Sequence, residues 1–218
     1  MIEGTPNLTG GRLSYQESKF HINYLELKAT LLALQSLCNH MQCCHINLLC
    51  DNTTAVSYIR NMGGTKSRVC NEVTGEIILW CMPRHLKLSV SHWPAKLNVE
   101  ADRASRIFHN SNTEWSLAIS VFDELRAKWG EPDIDMFASR LNHKVSQYVG
   151  WKPDPGAIAI DAFTVHWSRY KLIYFFSPFN LIDKVLQYTQ ESNATAILVV
   201  PYWPTQFWYP HLLQSLRS

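Results

Sequence analysis

Residues 45–56 read HINLLCDNTTAV, and this stretch decides how the first half of the chain is organised. The apolar run from His45 to Cys50 predicts a strand. Asp51 ends that strand, and the residues after it predict a helix from Thr53 to Asn61. A strand-end carboxylate that converges with carboxylates borne on helices is how proteins build sites for hard divalent cations such as Mg²⁺.

Two more acidic residues lie in comparable settings on either side of this stretch. Glu26 falls in the first turn of a helix predicted at 23–37, and Asp102 lies in a short helix predicted from residue 98. A helix predicted at 67–82 and a strand predicted at 86–91 separate Asp51 from Asp102 and place His92 at the strand end. Two metal ions held by such carboxylates can clamp the attacking and leaving oxygens of a phosphodiester.

Each carboxylate also fits a structural role. Asn23 followed by Glu26 resembles a capping box, in which Glu26 accepts from main-chain N–H groups. Asp51 is suited to cap the helix that starts at Thr53. Asp102 lies in a first helical turn, where the helix dipole favours negative charge. Capping and metal binding both remain open for all three.

The order of these motifs resembles the ribonuclease H domain of retroelement polyproteins, and most closely that of DIRS-type retrotransposons. The resemblance covers the first half of the chain and rests on HINYLELKA at 21–29, DNTTAV at 51–56, MGGT at 62–65 and NVEAD at 98–102. It implies that residues 1–109 form a ribonuclease H-like domain with a mixed sheet. It also implies that this domain hydrolyses the RNA strand of RNA–DNA hybrids by two-metal chemistry. Glu26, Asp51 and Asp102 would hold Mg²⁺ or Mn²⁺, His92 would assist proton transfer or product release, and an upstream reverse transcriptase domain is an implied partner.

One element of that family is missing from the sequence. The family carries a further catalytic Asp on its first strand, but the only acids before Glu26 are Glu3 and Glu17, and neither follows an apolar run. Gly11–Tyr15 leaves room for about one hairpin arm. We therefore expect a chain whose Met1 falls inside the domain and a sheet without its first strand. Either the site lacks one carboxylate and catalysis is impaired, or the missing strand comes from elsewhere.

A polar break at 109–112 predicts a second α/β domain at 113–218. A helix is predicted at 114–129, with Leu117, Val121, Leu125 and Trp129 on one face and Gly130 as its C-terminal cap. Further predicted elements are a strand at 171–176, a helix at 181–190, a strand at 194–200 and a helix near 206–216. This alternation suggests a small Rossmann-like sheet.

The second half resembles the Dam-like adenine methyltransferase region of the same elements, through 134–142, 161–163 with Trp167, and 174–179. The resemblance implies S-adenosylmethionine as cofactor, with Asp135 at a strand end for its polar groups. Ser177, Pro178 and Phe179 match the catalytic stretch, in which a polar group accepts amine hydrogens and an aromatic ring stacks on a flipped base. One proline of the family's pair is absent, which puts methyl transfer in doubt. The alternative for the aromatic residues is a buried strand end.

Composition limits the broad class. The 218 residues are 46% hydrophobic and 17% charged, a composition typical of a globular protein. The net charge is +2, so the charge of the whole molecule does not indicate nucleic-acid binding. We expect an intracellular protein, cytoplasmic or nuclear, without a membrane partner. The cysteine- and histidine-rich stretch 38–45 fits none of the common zinc spacings. The alternatives to a nuclease are a non-catalytic nucleic-acid-binding remnant and a methyltransferase relic.

Overall fold

The computed structural model describes residues 9–94, 96 and 115–216. The chain divides into two compact units, Met1–His109 and Asn110–Ser218. Both units combine helices with small parallel sheets, which confirms the predicted α/β class. No helix among the described residues has the length and apolar character needed to cross a membrane.

Apart from the short 3-10 helices Glu17–Lys19 and Met82–Arg84, the described part of the N-terminal unit consists of two strands and three α-helices. These are α1 (Ile22–Leu37), β1 (His45–Cys50), α2 (Thr53–Arg60), α3 (Arg68–Cys81) and β2 (Lys87–His92). β1 and β2 pair in parallel, with Cys50 opposite His92 at the carboxyl end. The predicted bounds agree within one or two residues, because caps define the helix starts: the side chains of Asn52 and Ser67 accept from Ala55 N–H and Cys70 N–H.

The core of this unit lies between its three helices. Leu27, Leu31 and Leu34 recur along one side of α1 and are at most 2% exposed. They form one cluster with Val73 and Ile77 of α3 and with the buried residues of α2. This cluster fixes α1, and therefore Glu26, relative to the strand that ends at Asp51.

The C-terminal unit contains a longer series of shorter elements. They are α4 (Ile119–Trp129), β3 (Ile134–Asp135), β4 (Val149–Gly150), β5 (Ala159–Ile160), β6 (Ile173–Phe175), α5 (Ile182–Glu191), β7 (Ala196–Leu198) and α6 (Tyr209–Ser215). β3, β6 and β7 form one parallel sheet, and β4 pairs in parallel with β5. A parallel bridge between Asp135 and Tyr148 joins the two sets, which gives the order β5-β4-β3-β6-β7.

Aromatic side chains fill the core of the C-terminal unit. Trp167 is fully buried, and its indole N–H donates to the carbonyl of Ala162 at 2.8 Å. Its ring lies 4.7 Å from Phe175 and 4.6 Å from Tyr188. The indole hydrogen bond removes the cost of burying a polar N–H in this apolar core.

Several sequence predictions in the C-terminal unit and near the N-terminus were wrong. α4 begins at Ile119 rather than 114, because Asn142 Nδ2 donates to the carbonyl of Trp115 and holds it before the helix. Its buried side is Phe122, whereas Val121 and Trp129 are 40% and 52% exposed. Gly11–Tyr15 forms no strand, because a turn follows in which Ser14 N–H donates to Glu17 Oε2 at 2.7 Å.

Candidate functional site

Glu26 lies on α1, and its carboxylate is not part of a helix cap. The N-cap is His21, whose Nδ1 accepts from Asn23 N–H at 3.2 Å. The capping-box interpretation of Glu26 is therefore wrong, since a histidine ring already occupies that role. No described residue forms a hydrogen bond or ion pair with the Glu26 carboxylate.

Asp51 directly follows β1, and it does not cap α2 either. Asn52 is the N-cap, and its Oδ1 accepts from Ala55 N–H at 3.0 Å. The Asn52 amide also donates to Asn23 Oδ1 at 3.1 Å, which ties the start of α2 to the start of α1. This second contact brings the helix that carries Glu26 next to the strand end that carries Asp51.

Ligand atoms of Glu26, Cys50 and Asp51 converge within 4.8 Å of one another. All three residues are half-buried. Burial first, and then the negative charge of Asp51, raise the pKa of Glu26 above its usual value. Burial also raises the pKa of the Cys50 thiol, an effect that a main-chain hydrogen bond from Asn52 opposes and that the charges of Glu26 and Asp51 reinforce. The cluster is thus a negative, partly desolvated pocket that a bound cation would neutralise.

Cys50 is the member of this cluster that the sequence interpretation missed. Because its neighbours are apolar, Cys50 was interpreted only as a strand residue. Its position next to Asp51 was the one signal in the sequence that it could be a ligand. A thiolate is a softer ligand than a carboxylate, so Cys50 makes this donor set more suitable for Zn²⁺ than an all-oxygen set would be.

His92 lies beside this cluster, at the end of the neighbouring strand. Its Nε2 is 3.2 Å from the main-chain carbonyl of Asp51, where a ring N–H donates, and the side chain is exposed. The ring is therefore held at the edge of the site by Asp51 itself. Asp102, the third predicted metal ligand, lies outside the described residues.

Comparison with known proteins gives no assignment. No protein-family model, curated protein or solved structure matches the chain significantly. The chemistry of the site rests on its own residues and on how they are placed.

The residues predicted to bind a cofactor in the C-terminal unit lie along the carboxyl ends of β3 and β6. Asp135 is 2% exposed, and its two oxygens accept from the main-chain N–H groups of Phe137 at 3.4 Å and Lys144 at 3.0 Å. Burial raises the pKa of Asp135 to about 6, although these two hydrogen bonds act to lower it. Both oxygens are engaged in shaping the loop after β3, so Asp135 acts on the backbone of its own unit.

Ser177 differs from Asp135 because its hydroxyl has no hydrogen-bond partner among the described residues. The side chain is 3% exposed. Pro178 precedes a short 3-10 helix, and the Phe179 ring in that helix lies 5.1 Å from Trp203 and 6.3 Å from Trp115. Buried hydroxyls are normally satisfied, so Ser177 Oγ marks a place for a ligand or a water.

Proposed function

We propose that the N-terminal unit is a ribonuclease H-like domain that hydrolyses the RNA strand of RNA–DNA hybrids with the help of divalent metal. The observation that carries the proposal is the meeting of the Glu26 and Asp51 carboxylates, neither of which caps a helix or pairs with a described cation. Two half-buried carboxylates repel each other, and a bound cation would offset that repulsion.

The donor set fits Mg²⁺ or Mn²⁺. Glu26 and Asp51 offer the oxygen ligands that both ions take. By the family resemblance, Asp102 completes the set. A bound ion would supply an activated water and charge neutralisation at the phosphate.

The protein's own groups then have distinct tasks. The carboxylates fix the position of the ions, and the exposed His92 ring beside Asp51 is placed to exchange a proton with the leaving group. Recognition of the hybrid rests on its A-like shape and its 2′-hydroxyl groups rather than on sequence. An upstream reverse transcriptase domain remains the proposed partner.

The arrangement of strands supports the ribonuclease H-like interpretation, although one catalytic carboxylate of that family has no counterpart here among the described residues. The parallel pair β1–β2, connected through helices and carrying Asp51 at a carboxyl end, has the order expected from the sequence motifs. The family's first strand and its Asp have no counterpart among the described residues. We therefore expect slow hydrolysis.

Cleavage of a labelled RNA–DNA hybrid tests this function, first in Mg²⁺ and then in Mn²⁺. Asp51→Asn is the test variant, and Glu76→Gln, an acid on α3 that pairs with Lys28 at 3.1 Å, is the matched control. Cleavage by the wild type and the control but not by Asp51→Asn supports the proposal. Hybrid binding without cleavage by folded protein favours the non-catalytic alternative, and equal cleavage by all three proteins contradicts a role for Asp51.

A second candidate function concerns the C-terminal unit, which we propose as a relic of an S-adenosylmethionine-dependent adenine methyltransferase. In the order β5-β4-β3-β6-β7, the chain adds β4 and β5 on one side of β3 and then β6 and β7 on the other side. Rossmann-like sheets bind ligands at such a switch point, which lies here between β3 and β6, and Ser177 follows β6. The unpartnered Ser177 hydroxyl favours a ligand there. Calorimetric titration with S-adenosylmethionine tests this, and binding that Ser177→Ala does not weaken would contradict the assigned place.

A further inference from the structure

Cys50 brings a sulfur ligand into a cluster whose other two members offer only oxygen. Its Sγ and one carboxylate oxygen each of Glu26 and Asp51 lie within 4.8 Å of one another. Among the described residues, no other group of three histidine, cysteine, aspartate or glutamate residues brings its ligand atoms this close, although the chain contains six cysteines and nine histidines. The position of this thiol beside two carboxylates therefore distinguishes Cys50 from the other described cysteines.

The local backbone explains why the sulfur and both carboxylates meet. Cys50 is the last residue of β1, and Asp51 lies in a bend between that strand and α2. Successive side chains point to opposite faces only within a strand, so the bend allows two neighbouring residues to serve one ion. Glu26 comes from α1, which the buried core of the unit holds in place. Two elements fixed by packing thus supply all three donors.

Zn²⁺ is the ion that suits this mixed donor set. It takes thiolate sulfur at about 2.3 Å and carboxylate oxygen at about 2.0–2.2 Å, whereas Mg²⁺ takes oxygen ligands and keeps several waters. Donor atoms that already lie within 4.8 Å of one another reach these distances from one ion by small side-chain rotations. The thiol proton leaves when the metal binds, because only the thiolate is a ligand. Three protein ligands leave the fourth tetrahedral position to a water.

We propose that Cys50, Glu26 and Asp51 form a Zn²⁺ site, and that zinc bound there displaces the Mg²⁺ or Mn²⁺ of the proposed nuclease. The displacement rests on the proposed function, whereas the zinc site does not. A two-metal centre needs both carboxylates, and it needs open positions for the attacking and leaving oxygens of the phosphodiester. A zinc ion that holds both carboxylates and the sulfur leaves one open position. Zinc therefore inhibits this site rather than activating it.

Cobalt spectroscopy of the full, reduced chain tests for the sulfur ligand without nucleic acid. Co²⁺ takes the place of Zn²⁺, and a thiolate-to-cobalt charge-transfer band reports sulfur in the coordination shell. We expect this band at equimolar Co²⁺ in the wild type and in Cys43→Ser, and its loss in Cys50→Ser. Cys43 is the matched control, because it is an exposed cysteine that shortly precedes the same strand. An absent band in the wild type, or a band that Cys50→Ser retains, would overturn the zinc site.

Alkylation of the wild type keeps the test decisive if Cys50→Ser does not fold. The chain reacts with iodoacetamide alone, with Zn²⁺ present or with Mg²⁺ present, and peptide mass spectrometry follows each cysteine. We expect Zn²⁺ to slow the modification of Cys50 at least about tenfold and Mg²⁺ to leave it unchanged, because a metal-bound thiolate is a poor nucleophile. Cys43 should react at one rate throughout. Equal reaction of Cys50 with and without Zn²⁺ would contradict the assignment.

Competition between Zn²⁺ and Mn²⁺ tests the displacement, with electron paramagnetic resonance of the Mn²⁺ that zinc releases. Zn²⁺ outranks Mn²⁺ at most protein sites, so the ratio of the two affinities decides the matter. We expect Cys50→Ser to lower the preference for Zn²⁺ at least about tenfold, and Cys43→Ser to leave it unchanged; an unchanged ratio in Cys50→Ser would refute the role of sulfur. Zinc bound at Cys50 without release of Mn²⁺ would refute the displacement alone. A wild type that shows the cobalt band but binds no Mn²⁺ would refute the displacement and the proposed function, and the zinc site would stand.

Discussion

Asp51→Asn should stabilise the N-terminal unit when no metal is present. The carboxylates of Glu26 and Asp51 lie within 4.8 Å, and their repulsion at such a distance ranges from about 1 kcal/mol in water to about 4 kcal/mol near a protein surface. Both groups are half-exposed, so solvent screening places the effect near the lower value. We expect a gain of about 1 kcal/mol at neutral pH, which corresponds to about a fivefold change in the unfolding equilibrium.

Amide hydrogen exchange in α1 and β1 measures this gain separately from the C-terminal unit. Glu76→Gln is the control, because it removes a carboxylate that is paired with a cation and should leave stability unchanged or slightly lower. Added Mn²⁺ should protect the wild type and the control more than Asp51→Asn, which reverses the order of stabilities. A loss of stability in metal-free Asp51→Asn, or equal protection of all three proteins by Mn²⁺, would refute the reasoning.

Three further predictions concern the supporting structure. Asn52→Ala removes the cap of α2 and its contact with Asn23, and should cost about 1 kcal/mol in urea unfolding of the N-terminal unit; no change would show that the cap is dispensable. Phe122→Ala should cost about 3–5 kcal/mol, because the ring is 1% exposed and meets Tyr174 at 5.0 Å; a cost near zero would contradict that packing. Asp135 has a pKa raised from 3.8 to about 6, so its stabilising contribution is complete below pH 4 and is lost as pH rises through 6. Asp135→Asn should remove this pH dependence from the C-terminal unit, and an unchanged slope would contradict it.

The elements of the N-terminal unit were largely predictable from the sequence. The run His45–Cys50 has the bounds of β1, since an apolar strand followed by a capping residue leaves little freedom in where each element ends. The choice between capping and metal binding was not predictable, because Asn23 and Asp51 both fit cap positions by residue type. Packing excluded capping by Glu26 and Asp51, because it placed His21 and Asn52 in those roles.

The C-terminal unit was less predictable, because its strands are two or three residues long and carry almost no periodic signal. The buried side of α4 depends on Phe122 meeting Tyr174, a contact between residues that are far apart in the chain. The hydrogen bonds that Asp135 accepts, from Phe137 and Lys144, depend on the conformation of the loop after β3, which the sequence pattern does not indicate. The resemblance to the methyltransferase region and the strand-end position of Asp135 had suggested a cofactor-binding carboxylate there.

Titration of the protein with Mn²⁺, followed by electron paramagnetic resonance of the free ion, tests the central claim most directly. The account predicts saturable binding by the wild type and by Glu76→Gln, and at least about tenfold weaker binding by Glu26→Gln and Asp51→Asn, because each substitution removes an oxygen ligand and a charge from the cluster. Binding of equal strength in all four folded proteins would contradict the account, and so would the absence of saturable binding by the wild type.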